Sequence, residues 1–233
     1  MTTSEPLVLV PGLLCTADLF ADQIAALRGR RAVTVADHTT ADNLPDIARS
    51  ILRNAPPKFA LAGLSMGGYI AFEMLRQAPE RITRLALLDT NARADRPDQV
   101  KTRHVLMGAA RAVGVRAVQG MLLKFLIHKD RLDDRALTSR VLLMADGIGV
   151  NAFIRQQQAI LGRPDNREFL KSIKCPTVLV VGAEDALTPV KVHEEMLDLI
   201  PGAKLEVLAD CGHLSTMERP AAVNAILARW LAD

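Results

Sequence analysis

Gly63-Leu64-Ser65-Met66-Gly67, a serine framed by two glycines, is where residue types and spacing in this chain point most directly to chemistry. The apolar run Phe59 to Ala62 precedes it and a helix-like segment, Gly68 to Gln77, follows. The sequence therefore predicts a strand, a very tight turn and a helix, with Ser65 at the apex. A turn that sharp strains the apex backbone and brings chains too close for side chains on its neighbours, and Gly63 and Gly67 carry none. The hydroxyl is lifted clear of the sheet, and the N–H groups that follow it open a helix, where they can face a developing negative charge.

A serine hydroxyl is a weak nucleophile until a base takes its proton, and the base works best when an acid orients it. Of the five histidines, His104, His128 and His193 fall in predicted helices and read as solvated positions, while His38 follows a strand and stays open. His213 lies in Asp210-Cys211-Gly212-His213-Leu214, a loop between the last strand and the last helix, on the sheet edge that carries Ser65. The acid should follow another strand on that edge. Asp185, in Gly182-Ala183-Glu184-Asp185, does so, with the adjacent Glu184 and the strand-end Asp89 as competitors. Two backbone N–H groups are needed for an oxyanion. Met66, just after the serine, supplies one. The loop after the first strand supplies the other, from Leu13 with Leu14 in reserve, because Gly12 lets that loop pass close. Cys15 and Cys211 read as small buried residues. Together with Cys175 they show no metal-ligand spacing and fit reduced thiols.

The elements that must position these residues alternate. Leu7 to Val10 is a continuous apolar run of the buried parallel type, and further strands are expected at Ala32 to Ala36, Phe59 to Leu64, Leu85 to Leu88, Thr177 to Val181 and Leu205 to Leu208. Helical patterns separate them: Leu19 to Leu27, Asn43 to about Asn54, Gly68 to Gln77, a segment opening at Pro189 with Thr188 as its cap, and Ala221 to Ala232. The rhythm breaks between Asp95 and Leu161, where four helical stretches follow one another: Gln99 to Val113, Val115 to Ile127, Arg135 to Asp146 and Asn151 to Leu161, punctuated by Gly114, Gly147 and Gly149. An all-helical interruption between two strands of a parallel sheet is expected to cover the strands' carboxyl ends, where such sheets place their sites.

Length and composition narrow the classes. The 233 residues suit one α/β unit with an insertion, and 49% hydrophobic residues support a sizeable core. With 3% aromatic residues there is little for base stacking, and no nucleic-acid partner is expected. No apolar run of membrane-spanning length stands out, so no membrane partner is expected either. The polar lead Met1 to Pro6 lacks the features of a secretory signal, and a cytoplasmic location is expected. Net charge is +3 but uneven: Asn91 to Lys174 carries sixteen Lys and Arg against eight Asp and Glu, within an acidic frame. Such a basic middle would attract an anionic or carrier-linked substrate, with Arg103, Arg111 and Lys124 as candidates.

At these residues the chain resembles the α/β-hydrolase superfamily, most closely its small capped esterases, such as the pimeloyl-carrier methyl ester esterases and related thioesterase- and lyase-like members. The resemblance runs from Leu7 through Trp230 and rests on Gly63 to Gly67, Gly182 to Asp185 with Thr188-Pro189, and Gly212-His213. The order Ser65, Asp185, His213 is that family's order. Many relatives have His-Gly where this chain has Pro11-Gly12, and two strands that usually come first have no room here. The resemblance thus implies a six-stranded parallel sheet in family order 4-3-5-6-7-8, helices on both faces, a core of residues 1–94 and 162–233, and a helical cap of residues 95–161. It also implies a serine hydrolase with Ser65 as nucleophile, His213 as base, Asp185 as orienting acid and the N–H groups of Leu13 and Met66 as oxyanion donors. Its substrate would be a small acyl ester, with neither metal nor organic cofactor. The same site would also serve a thioesterase, a C–C bond hydrolase or a perhydrolase. A ligand-binding member of the fold without turnover is the alternative of a different class.

Overall fold

Continuous apolar stretches become buried strands because both faces of the sheet are covered. In the computed structural model, which describes residues 4–232, the chain runs β1 (Leu7–Val10), α1 (Ala21–Leu27), β2 (Val33–Val35), α2 (Leu44–Asn54), β3 (Phe59–Leu64), α3 (Met66–Gln77) and β4 (Ile82–Leu88). Two long helices follow, α4 (Pro97–Leu126) and α5 (Arg135–Leu161), then α6 (Arg167–Leu170), β5 (Thr177–Gly182), α7 (Val190–Leu199), β6 (Lys204–Leu208), α8 (Ser215–Glu218) and α9 (Pro220–Ala232). Part of the polar lead Met1 to Pro6, and the outermost core positions 1–3 and 233, lie outside the described residues.

The six strands form one parallel sheet in the order β2-β1-β3-β4-β5-β6, which is the family order 4-3-5-6-7-8 in this chain's own numbering. Every residue of β1, β3 and β5 is buried. The edge strands β2 and β6 are only partly covered, and they carry the polar Thr34, Lys204 and Glu206. Asn43 caps α2 by accepting from the Asp46 N–H, and Pro45 sits in its first turn, as the sequence predicts. Thr188 does not cap α7: Pro189 holds that position, and the Thr188 hydroxyl is engaged elsewhere.

The helical insertion between β4 and β5 is two helices by hydrogen bonding and four by direction. Gly114 (φ 83°, ψ 161°) breaks α4 and Gly149 (φ 75°, ψ 168°) breaks α5, in backbone conformations that side-chain-bearing residues avoid. Gly147, expected as a third break, stays helical. Leu14 of the loop after β1 packs into the insertion's own apolar cluster with Met107, Val118, Ala145 and Phe153. The expectation that no apolar run is of membrane length needs correcting: α4 and α5 are each long and apolar enough to cross a bilayer by length and composition, although the glycine kinks divide both.

Many basic residues of the middle segment are paired, although among the described residues only Glu195, Asp18 and Asp22, outside it, draw on its surplus. Arg116 meets Asp146, Arg140 meets Asp18, and Arg167 meets Asp165 and Glu195. Arg111 and Lys124 are exposed and line no part of the cavity described below, whereas Arg103 does.

Candidate active site

The turn between β3 and α3 has the geometry its sequence predicts. Ser65 sits at φ 54°, ψ −115°, outside the regions open to most side chains. Its carbonyl accepts from the Thr90 hydroxyl (2.8 Å) and the Gly68 N–H (2.9 Å), and its own N–H donates to the Leu88 carbonyl (2.9 Å). A Cβ on Gly67 would lie 2.0 Å from the Val10 carbonyl oxygen, so β1 and α3 touch only because that residue has no side chain. The strain at residue 65 is thus held by contacts on both sides.

His213 and Asp185 come to this serine from the ends of β6 and β5. His213 Nε2 is 2.9 Å from Ser65 Oγ, and His213 Nδ1 is 2.8 Å from Asp185 Oδ2. The Nδ1–H donates to the carboxylate, which leaves the Nε2 lone pair free for the serine proton. Asp185 is saturated: Oδ1 accepts from the N–H groups of Leu187 (2.8 Å) and Thr188 (2.9 Å), and Oδ2 also accepts from the Thr188 hydroxyl (2.6 Å). Burial alone would raise the Asp185 carboxyl, but the charge and hydrogen bond of His213, with the Thr188 donors, hold it below the usual carboxylate range. Burial likewise opposes charge on His213, and Asp185, with help from Asp89 and Glu218, outweighs it and holds the imidazole above its ordinary value. The histidine loop is clamped in turn. Leu126 accepts from the N–H groups of His213 (3.0 Å) and Leu214 (3.1 Å), and buried Glu218 accepts from Gly212 (2.9 Å) and His128 (2.7 Å).

The competitors are placed elsewhere. Glu184 is exposed and accepts from the Cys211 N–H (2.9 Å). Asp89 is fully buried, but its carboxyl faces the Gly182 N–H (3.1 Å) and the N–H and hydroxyl of Ser215 rather than the histidine. Burial, then the nearby Asp185 charge, raises its carboxyl well above the usual range.

Leu13 and Met66 have no partner for their N–H groups among the described residues, and Leu13 lines the cavity that holds Ser65. Leu14, the reserve donor, is committed: its N–H donates to Gln156 Oε1 on α5 (3.2 Å). A Cβ on Gly12 would lie 3.3 Å from the Ser65 Cβ, which shows how closely this loop passes. His38, open in the sequence, supports it, with Nε2 2.9 Å from the Gly12 carbonyl and 2.9 Å from Gln156 Nε2. Its burial lowers its pKa and keeps it neutral. The expectation of solvated helical histidines holds for His104 alone. His128 is buried and caps a 3-10 turn, and His193 is buried with Nε2 accepting from the Thr90 N–H (3.1 Å); burial takes it down to about 4. Cys15 also lines the cavity, yet burial pushes its thiol up to about 12, so it stays protonated and a poor nucleophile.

The cavity at Ser65 measures about 220 Å³. Loops of the sheet edge form one wall, with Leu13, Ser65, Thr188 and His213. The helical insertion and the turn after it form the other, with Arg103, Gln119, Gln157 and Arg163. Sequence reasoning missed Thr188 as a partner of Asp185, Glu218 as a clamp, and the Gln156–His38 support. Each depends on contacts between residues far apart in sequence.

A strained serine at a strand–helix turn, with a histidine and a buried carboxylate from later strand ends, belongs to a known class of α/β fold. The chain is a member of the alpha/beta hydrolase fold family, whose pattern it matches over residues 5–220. Among solved structures it is similar to a thermophilic esterase from Thermogutta terrifontis, seen with malate bound (26% identity, TM-score 0.90, covering 99% of this chain and 90% of that one). It shares its fold with the enol-lactonase of Burkholderia xenovorans LB400 (22% identity, TM-score 0.88, 99% and 92% covered). It is also similar to a 2-hydroxy-6-oxononadienedioate/2-hydroxy-6-oxononatrienedioate hydrolase from Pseudomonas sp, with 24% identity over 74% of this chain and 62% of that protein. The relatives are of several kinds, hydrolases of different bonds for the most part, with a putative non-heme bromoperoxidase from Mycobacterium tuberculosis among them (26% identity over 74% of this chain and 68% of that protein).

Proposed function

We propose that this chain is a serine hydrolase that cleaves a carboxylic ester through an acyl-enzyme intermediate. The observation that carries the reading is the 2.9 Å approach of His213 Nε2 to the hydroxyl of a backbone-strained Ser65, beside two uncommitted N–H groups. Ser65 Oγ attacks the carbonyl carbon as His213 takes its proton, and Asp185 stabilises the imidazolium that forms. The N–H groups of Leu13 and Met66 receive the oxyanion. Collapse breaks the ester C–O bond, His213 returns the proton to the departing alcohol, and water repeats the sequence on the acyl-serine. Similarity to the Thermogutta esterase favours an ester over a thioester, C–C bond or peracid among reactions this site would serve.

A fluorophosphonate probe is expected to label the protein once, at Ser65, and Ser65→Ala should lose both labelling and turnover of p-nitrophenyl esters. Loss of the nucleophile removes several orders of magnitude of rate. Equal labelling of the alanine variant would remove the proposal.

A further inference from the structure

Three contacts fix the Arg163 guanidinium at the wall of the cavity. Its Nε donates to the Arg93 carbonyl (2.8 Å), its Nη2 pairs with Asp95 Oδ1 (2.8 Å), and its plane lies against the Tyr69 ring, 4.5 Å from the centroid. Its Nη1 is left buried with no acceptor. Gln157, fully buried on the same wall, accepts from Arg103 Nη1 through Oε1 (2.9 Å), and because arginine only donates, that contact fixes the amide's orientation. The Nε2 of Gln157 then also lacks an acceptor. Arg103 directs its other nitrogens to Asp95 as well, at 2.5 and 3.1 Å. Two guanidiniums therefore share one buried carboxylate, and one positive charge beside the cavity is uncompensated.

Buried donors without acceptors, and buried charge without a counter-charge, are costly and are rarely left so unless something completes them. What is missing here is an acceptor with negative charge. We infer that the cavity takes an ester whose acyl part ends in a carboxylate, with Arg163 Nη1 and Gln157 Nε2 as its donors and Ser65 at the scissile bond. The volume of about 220 Å³ holds roughly seven waters and lies below the usual ligand range. The fitting class is thus a hemi-ester of a short dicarboxylic acid, with a few carbons between the two ends. The chemistry at Ser65 rests on the hydrolase proposed above; the anion site does not.

The test compares monomethyl glutarate with methyl pentanoate, a neutral ester of the same chain length, and binds free glutarate to the Ser65→Ala protein by calorimetry. The unmodified protein should favour the hemi-ester in kcat/KM. Arg163→Met should lower the ratio of the two kcat/KM values by about 10- to 100-fold, the worth of a charge-assisted hydrogen bond, and should abolish glutarate binding in the Ser65→Ala background. If Arg163→Met does not fold, Gln157→Met takes its place. Preference for the neutral ester, an unchanged ratio in the variant, or no heat on adding glutarate would each overturn the inference and leave the two donors with bound water. If neither ester turns over and Ser65 stays unlabelled, the hydrolase proposal falls, while glutarate binding still decides the anion site.

Discussion

The two walls of the cavity follow opposite rules. On the sheet-edge wall the carboxylate of Asp185 has a full set of donors, His213 is held at both ring nitrogens, and the loop beneath it is clamped by Leu126 and Glu218. On the helical wall Arg163 and Gln157 each keep a buried donor without an acceptor, and the Gln119 side chain, which also lines the cavity, makes no hydrogen bond to another described residue. A wall whose side chains are saturated, with the Leu13 and Met66 N–H groups left open at Ser65, treats whatever arrives alike, and a wall with unsaturated side chains waits for a complement. Changes on the first should therefore affect all substrates alike, and changes on the second should depend on which substrate is offered.

The largest effect that would break this contrast is expected at Asp185. Asp185→Asn should lower kcat by about 10⁴-fold through loss of tautomer control, to the same extent for neutral and anionic esters. Asp89→Asn should cost far less, because Asp89 faces Gly182 and Ser215 rather than the histidine. Steady-state rates of both variants on two esters decide it, and the reverse ranking would move the orienting acid to the end of β4.

The pH profile sharpens the same contrast. On the hydrolase reading His213 must be neutral to accept the serine proton, and its partners hold its pKa above the ordinary histidine value of about 6.5. Activity should fall as pH drops through that raised value, so the acid limb of kcat/KM should lie above about pH 6.5 for every substrate. Asp185→Asn removes the anion that favours the imidazolium, and the limb should move to lower pH. A limb that differed between substrates would place its origin on the helical wall.

Stability should show the smallest difference. Thr188→Val leaves Asp185 short of a buried donor and should cost about 1.5–3 kcal/mol, the worth of a hydrogen bond to a charged group. Gln119→Leu removes no bond and should stay within about 0.5 kcal/mol. Urea midpoints of the two variants test this, and equal losses would erase the distinction between the walls.

Much of the sheet-edge wall is legible in the sequence. Strands buried on both faces are continuous apolar runs, the Ser65 turn needs glycines at fixed offsets, and both partners of the serine follow strands that end on one edge. These are local signals. The helical wall carries none of that kind. Arg163 precedes a proline just beyond the expected insertion, and it acquires its setting only from Asp95, Arg93 and Tyr69. Thr188 looks like a helix cap because a cap and a carboxylate partner demand the same hydroxyl in the same short loop. His193 looks solvated on a charged helix, yet its ring is buried against Thr90, a contact its own neighbours do not predict.

The loop that presents Leu13 is moored to the insertion twice, by the Leu14 side chain in the insertion's apolar cluster and by the Leu14 N–H on Gln156. On the hydrolase reading, the residue beside an oxyanion donor is therefore fastened to the helix that also carries Gln157. Selectivity and turnover then share a component. An evolving lineage that reshapes α5 for a new acyl group also shifts the N–H that stabilises the transition state, so new specificity would be gained with a loss of rate until the loop after β1 is retuned to match.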